Sequence, residues 1–486
     1  MVIVFTSVPQ FDPGDSSQAP DTPGHDIRMH RTTKVFTGHH VIGNMFGDGS
    51  EHPSTEAHAV ALDCLRAGIE AAQPATVIED GVAYDEAAER LRVGEATYDL
   101  SGVSDVYVVG GGNAAGAIAA ALEEVLGARL SDGVVVTDNP RATDTVEILP
   151  GDHPTPSARG VESTAEMRAL AADAGPDALV LAVVAGGGSA LLTAPAGDVT
   201  LPQLRELTDA LVGSGAPIGE INTVRKHVSE IKGGQLAETA APADVVGIVF
   251  SDVVGDDLGV VASGPTAPDP TTYAGALEIL DRYDISVAEA VRAHLEAGVA
   301  GDRPETPGPD AEGFDRVENH VLASGHTAVR AARERATQRG YTPVVLSTRM
   351  RGEAREIARA HAAIAEEVHH TGNPVDPPAV LLSGGETTVT LRGDGTGGPN
   401  QEFALSGALE LPAGLVLASV DTDGLDGSTD AAGALVDGET ITDPEEARAA
   451  LADNDAYTCL DAHDALLHSG ETGTNVNDLR VVVIDR

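Results

Sequence analysis

The chain has 486 residues, 42% of them apolar, and sets 76 acidic side chains against 30 basic ones for a formal net charge of −46. At ~100–200 residues per domain that length predicts two or three domains. The charge excludes nucleic acid as an expected partner, because no basic stripe exists to neutralise phosphates. No apolar run reaches the roughly eighteen residues of a membrane span. The opening VIVFTSVPQF is short and lacks the basic flank of a signal peptide. A cytoplasmic protein with no membrane partner is the expectation. Cys64 and Cys459 are the two cysteines, too few for a disulfide framework or a Cys-rich metal site. The acids are spread along the whole chain. Their self-repulsion would strain a compact fold at low ionic strength, and molar salt, with a Debye length of ~3 Å, would relieve it. A halophilic surface is predicted.

Residues 1–54 are rich in Pro, Gly, Asp, His and Ser without sustained periodicity. They read as a disordered extension or as an upstream start, with Met29 and Met45 as alternative starts. Ser54 is placed to cap a helix carrying Ala57, Val60, Ala61, Leu65 and Ile69 on one face. Apolar strands then alternate with helical patterns. VYVVG (106–110) precedes a helix, GVVVTD (133–138) follows it, and ALVLAVV (178–184) and DVVGIVF (244–250) come later. Continuous apolar runs of this kind suit strands buried on both faces of a parallel sheet, a doubly wound α/β pattern. The stretch at 299–315 is rich in Pro, Gly and acids and reads as a linker. A second α/β set follows: a helix near 325–339, TPVVLS, a helix near 352–368, AVLLS, TTVTL, the helix QEFALSGAL, LVLASV and RVVVID. Two α/β domains result, an N-terminal one at 55–298 and a smaller C-terminal one at 316–486, with a cleft between them.

Five strands end in unusual loops: GGGNAAG (110–116), AGGGSA (185–190), SDVVGDD (251–257), SGGETT (383–388) and DTDGLDG (421–427). Ligands in open α/β sheets bind beyond the carboxyl ends of strands. Glycine lets backbone N–H groups approach an anion closely, so phosphate is the ligand this equipment suits. A sixth loop, GDGTGGPNQEF (393–403), delivers Asn400 and Gln401 onto a helix N-terminus and reads as a phosphate cradle or a flexible hairpin.

INTVRKHVSEIKGG (221–234) is the most informative stretch. At helical spacing Ile221, Val224, Val228 and Ile231 form an apolar stripe, and Asn222, Arg225, Ser229 and Lys232 the opposite one. The chain holds three lysines, Lys34, Lys226 and Lys232, and two of them fall here. Both could neutralise phosphate charge, and Arg225 could clamp a carboxylate or phosphate bidentately. Two acidic loops, Asp252, Asp256 and Asp257 and then Asp421, Asp423 and Asp426, could each supply the one or two carboxylates that Mg²⁺ takes beside substrate phosphates. His153, in GDHPTPS, is a further substrate contact or a structural loop histidine.

The segments INTVRKHVSEIKGGQLA, SDVVGDDLGVVASGPTAPDPTTY, RGEARE, SGGETTVTLRGDGTGGPNQE, DTDGLDGSTDAAG and TGTNVNDL together resemble the class II glycerate 2-kinases, the glycerate kinase/MOFRL family, from about Ser54 to Arg486. The resemblance implies ATP-dependent phosphorylation of D-glycerate at its 2-hydroxyl with Mg²⁺. It also implies a Rossmann-like N-terminal domain, a smaller MOFRL-type C-terminal domain, and an active site between them. It leaves room for a homodimer. On this footing Arg225, Lys226, Lys232, Asp252 and Asp256 are the catalytic candidates, with Asp423 and Asp426 on the metal. Gly112, Asn113, His153, Gly186, Gly187, Gly188, Ser189, Asn222, Gly385, Glu386, Gly398, Asn400, Gln401, Thr422 and Asn475 would contact ATP or glycerate. Many members have Lys where this chain has Asn113, and Arg where it has Pro399. Arg225, Lys226 and Lys232 would then supply the charge.

Two rival readings remain at this level. One is an NAD(P)-dependent hydroxypyruvate reductase, with GGGNAAG as a dinucleotide loop one residue longer than G-x-G-x-x-G and Asp138 at the end of the next strand. The other is a non-catalytic sugar-acid-binding protein. A kinase of a related hydroxy acid is a variant of the main reading. The charge itself yields a prediction. Circular dichroism should show unfolding as KCl falls from molar to ~0.1 M, where the Debye length reaches ~10 Å; a melting temperature constant over that range would refute the halophilic surface.

Overall fold

The computed structural model describes residues 45–46 and 55–485. The expected disorder of residues 1–54 lies outside them, apart from Met45 and Phe46, which are buried; Arg66 Nε donates to the Met45 carbonyl at 2.9 Å.

Fifteen strands are described. A small antiparallel sheet comprises β1 (Val82–Asp85), β2 (Arg90–Val93) and β3 (Ala96–Asp99). The first large sheet is built from β4 (Val106–Gly111), β5 (Asp132–Thr137), β6 (Val146–Pro150), β7 (Leu179–Ala185), β8 (Asp244–Phe250) and β9 (Val317–Ala323). Their order is β6-β5-β4-β7-β8-β9 and every pairing is parallel. The apolar runs predicted to be buried on both faces are so: all seven residues of β7 are buried. The order reverses at β4 and β7, so the carboxyl ends of these central strands open a crevice above the sheet.

The second large sheet contains β10 (Thr342–Glu353), β11 (Ala379–Thr388), β12 (Leu415–Asp421), β13 (Gly433–Asp437), β14 (Leu466–Leu467) and β15 (Asp478–Ile484), in the order β10-β11-β15-β12-β13-β14. It is mixed, with β10 and β11 parallel and the rest antiparallel. The predicted AVLLS strand runs on through its glycines to Thr388, the second residue of the predicted TTVTL strand, whose remaining residues are not in a strand. Gly385 (φ +133°) allows this: a Cβ there would lie 2.2 Å from the Met350 carbonyl oxygen of β10.

Three boundaries move from their expected places. Thr55, one residue after Ser54, caps the helix Glu56–Ala71 by accepting from the His58 amide. This helix packs on the helix Gly325–Gln338 and on β15, so it covers the second sheet. The segment at 299–315 is fastened to the first sheet's side: Thr306 Oγ1 donates to Asp269 at 2.9 Å, and the Pro307 carbonyl accepts from the Asp269 amide. After it β9 still joins the first sheet, so the chain changes sheets between β9 and β10, later than the expected linker. Among the described residues no helix is long and apolar enough to cross a membrane.

The core of the second sheet encloses a polar knot. Arg480 on β15 is fully buried, lies 4.8 Å over the Phe403 ring and donates through Nη2 to Asp478 and, at 2.8 Å, to Thr387. Asp478 also accepts from Asn400 Nδ2 at 2.7 Å and the Thr387 amide at 3.0 Å. Removing one partner of a buried ion pair costs about 3–5 kcal/mol. Arg480 Nε and Nη1 have no partner among the described residues, which offsets part of that loss. Arg480→Met should therefore destabilise by about 3 kcal/mol in denaturant titration at constant salt, and a change under ~0.5 kcal/mol would show that the knot contributes nothing net.

Candidate active site

Three loops at the carboxyl ends of β4, β7 and β8 converge. Asn113 follows β4, donating its amide to the Gly186 carbonyl (2.9 Å) and its Nδ2 to Asp138 (2.8 Å). Beyond β7 the chain turns at Gly186 and Gly187 (φ +74°) into the short helix Gly188–Leu191. Glycine is required twice. A Cβ on Gly187 would overlap the Asn113 carboxamide at 1.6 Å, and one on Gly186 would sit 2.4 Å from Asp252 Oδ2. Asn113, Asp252 and the glycine turn thus form one surface. Among the described residues the amides of Gly187, Gly188 and Ser189 have no acceptor, as the first turn of a helix dictates. His153 is exposed, with the Asp138 carboxylate near it.

Ser189 connects this surface to the region 218–234. Its hydroxyl lies 2.8 Å from Ser263 Oγ, which donates to Asn222 Oδ1 at 3.2 Å. The helix here is Ile218–His227, shorter than the 221–234 periodicity predicted. Ser229 and Lys232 lie beyond it, in a turn stapled by Gln235 Nε2, which donates to the carbonyls of Lys226, Ser229 and Lys232. The stripe of Asn222, Arg225, Ser229 and Lys232 is therefore not one helical face, yet the turn returns Lys232 to Arg225's neighbourhood.

The two cations share an unusual state. Lys232 is 6% exposed, and its Nζ donates to the Leu192 carbonyl at 2.8 Å. Burial, and then the Arg225 charge, pull its pKa down to about 7. Arg225 makes no ion pair or hydrogen bond among the described residues, and burial lowers its pKa too. Lys226 differs. Its ammonium pairs with buried Asp269 at 3.3 Å. Burial works to raise the Asp269 pKa, but Lys226 and the bonds from Thr271 and Thr306 hold it below the usual range. Lys226 is thus committed to a structural pair, against the expectation of a catalytic role.

Asp252 is half-buried over Gly186, and burial followed by the Glu386 charge pushes its pKa up to about 6. Glu386 belongs to β11 of the second sheet, so two carboxylates from the two sheets lie near each other. Asp256 sits in the same loop at φ +59°.

The second acidic loop is built differently. Asp426 is fully buried and closes the N-terminus of the helix Pro399–Ala408, accepting from the amides of Asn400 (3.0 Å) and Gln401 (2.8 Å) and from Asn400 Nδ2. A Cβ on Gly398 would strike its carboxyl carbon at 2.3 Å. Asp423 accepts from the Leu425 amide and from Asn475 Nδ2 at 3.1 Å. Thr422 is spent on Val476 and Asn477. Glycine-loop amides are engaged as well: Arg392 and Gly393 donate to Asn454 Oδ1, Gly395 to the Asp453 carbonyl and Thr396 to Asp455. The 393–398 loop is a packed structural loop, and Asp426 is a helix cap. Among the described residues no group of three metal-ligating side chains is assembled.

Sequence reasoning missed Ser263, Asp269, Asp478 and Arg480, and it named Asp138 only for the dinucleotide reading. Nothing in the sequence marks Ser263; in the structure Ala262 (φ +49°) and Ser263 (+63°) are successive left-handed residues before Gly264 (+66°), and strain of that kind, ~1–3 kcal/mol per non-glycine residue, collects at functional sites.

Comparison with known proteins gives the following. Residues 60–296 match a domain of unknown function, DUF4147, and residues 379–478 match the MOFRL family. A Thermotoga maritima protein named D-glycerate 2-kinase is 41% identical over 78% of this chain and 90% of its own length. A Pyrococcus horikoshii protein named glycerate 2-kinase is 36% identical over 87% and 97%. An Agrobacterium vitis protein, provisionally named hydroxypyruvate reductase, is 43% identical over 78% and 86%. The crystal structure of a Thermotoga maritima glycerate kinase superposes with a TM-score of 0.77 at 37% identity, covering 88% of this chain and 99% of that one.

The contrast between the two lysines is testable. Lys226→Met strands a buried Asp269 and should cost about 3–5 kcal/mol of stability, with surviving folded protein keeping its turnover number. Urea melts and steady-state rates on one preparation check both; a normal melt with a hundredfold slower turnover would return Lys226 to the reaction.

Proposed function

Because the chain belongs to the class II glycerate kinase family, with its DUF4147 and MOFRL regions, we propose that it transfers the γ-phosphoryl group of ATP to the 2-hydroxyl of D-glycerate, giving 2-phosphoglycerate. The observation that carries this is the pair Lys232, buried, and Arg225, half-buried, two cations without a carboxylate partner among the described residues of a protein with 76 acids. A cation kept dry and unpaired awaits an anion. Beside them lie the hydroxyl of Ser189, the Asn222 carboxamide and the amides of Gly187 and Gly188, donors suited to phosphate or carboxylate oxygens.

Phosphoryl transfer needs positioning and charge stabilisation more than covalent chemistry. Lys232 and Arg225 stabilise charge on the moving phosphoryl group. Asp252 takes the proton of the glycerate 2-hydroxyl, and its raised pKa of about 6 suits a base working near neutrality. The Asp423–Asp426 pair does not fit Mg²⁺, because amides occupy both oxygens of Asp426. Glu386, facing Asp252, is the carboxylate that fits, since Mg²⁺ takes one or two carboxylates beside phosphate oxygens. When bound, the ion would neutralise charge on the phosphates.

The reductase reading is disfavoured by the first glycine loop. The Gly112 and Asn113 amides, which a pyrophosphate would need, donate instead to the carbonyls of Val136 and Gly186. The soluble partners are then ATP and glycerate, and a cytoplasmic location accords with them.

With ATP, Mg²⁺ and D-glycerate in molar KCl, the purified protein should form 2-phosphoglycerate. Hydroxypyruvate-dependent NADH oxidation without ATP use would falsify the proposal. The pH profile is specific. The base must be ionised, so kcat/KM should rise through about pH 6; the Lys232 charge must be kept, so it should fall above about pH 7. Lys232→Met should lower kcat roughly 10²–10³-fold, the scale of one electrostatic stabiliser in a dry site, and Lys232→Arg should move the alkaline limb upward. An alkaline limb unmoved in Lys232→Arg would assign that titration to another group.

A further inference from the structure

We propose that Arg351 is a positioning residue, reaching from the second sheet to fix the loop that carries Asp252; this rests on reading Asp252 as the base. The loop after β8 is tied at its root, where the Ser251 amide donates to the Ala323 carbonyl of β9. Its tip is a tight turn, with Asp256 N–H bonded to the Val253 carbonyl and with Gly255 and Asp256 at φ +98° and +59°. That turn leaves the Val254 carbonyl pointing away from its own sheet. The acceptor is taken by Arg351 Nη2, from β10.

The strand is shaped for this reach. β10 slips register against β11 twice, between Val345 and Ser347 and between Ser347 and Met350, and such irregularities re-aim the side chains that follow. Arg349 and Arg351, two residues apart, share one face. A Cβ on Gly255 would lie 3.7 Å from Arg351 Nη2 and 3.9 Å from Arg349 Nη1. Arg351 has a backbone carbonyl of the loop after β8 as its bonded partner among the described residues. Val254 is two residues from Asp252, so the tether sets where the carboxylate stands over Gly186 and how far water reaches it.

Arg351→Ala should lower kcat on the order of 10-fold, within the loss that a 1 Å misplacement causes, and leave the glycerate KM within about twofold. Hydrogen exchange of the 251–257 peptide should quicken. Arg351→Lys should recover part of the rate, and Arg349→Ala, with the same charge lost, should change none of these. Unchanged exchange or unchanged kcat in Arg351→Ala overturns the proposal, as does an equal effect from Arg349→Ala. Asp252→Asn measured alongside separates the layers. If it keeps wild-type kcat, the base assignment falls and this one with it; if it is inactive while Arg351→Ala is normal, the positioning role alone falls.

Discussion

Removing a cation from water without giving it a carboxylate is unfavourable, and the arrangement of Arg225 and Lys232 depends on that being tolerated. Acids are abundant in this sequence, so an acidic neighbour was available at almost any position. The site instead buries Lys232, gives it the Leu192 carbonyl, and lowers its pKa to about 7 through burial and then the Arg225 charge. The cost is carried by the first sheet, whose buried strands hold the loops rigidly around it. Lys226, one residue from Arg225, shows the alternative: supplied with Asp269, it becomes a strut. Adjacent basic residues thus differ in role because one faces an acid and the other does not.

The second sheet applies the opposite logic. Many of its polar groups are bonded to one another, with Asn400 bonded to Asp426, Asp478 and Ser419 and with Asp426 closing a helix N-terminus. A helix terminus attracts an anion because its first amides lack acceptors. Here a carboxylate from the same chain already fills that place. The lobe can therefore act as a rigid support that presents Glu386 and Arg351 towards the first sheet, while the phosphate-attracting groups belong to the other side.

Strands of β4, β5, β7, β8, β12 and β15 were legible because continuous apolar runs have few other uses. β6, β9 and β13 were not: β9 alternates without a strong pattern and lies at a sheet edge, and β13 is a short stretch of small residues. Asp252, Arg225, Asn222 and the Gly186–Ser189 turn were legible as candidates because their types are rare in the settings where they occur. Asp423, Asp426 and the 393–398 glycines were legible as unusual and misread in role. Sequence shows that a loop is rich in N–H donors and acids; whether those groups bond each other or await a ligand depends on packing between segments such as 393–396 and 453–455, far apart in sequence. The helical stripe through Lys232 failed for a related reason, since the Gln235 side chain stabilises a turn that periodicity cannot register.

A protein of charge −46 repels ATP and glycerate, both anions, at long range. The attraction of Arg225 and Lys232 acts at contact distance in a medium of low dielectric, where salt screens weakly. The surface repulsion acts through solvent, where salt at ~1 M confines it to ~3 Å. High salt therefore removes the unfavourable term and leaves most of the favourable one. On the proposed reading, buried Lys232 and half-buried Arg225 then suffice for an anionic substrate pair in so acidic a protein. The scarcity of lysine, three in the chain with two at 226 and 232, accords with the same division, because a lysine on the surface would work only where salt already screens it.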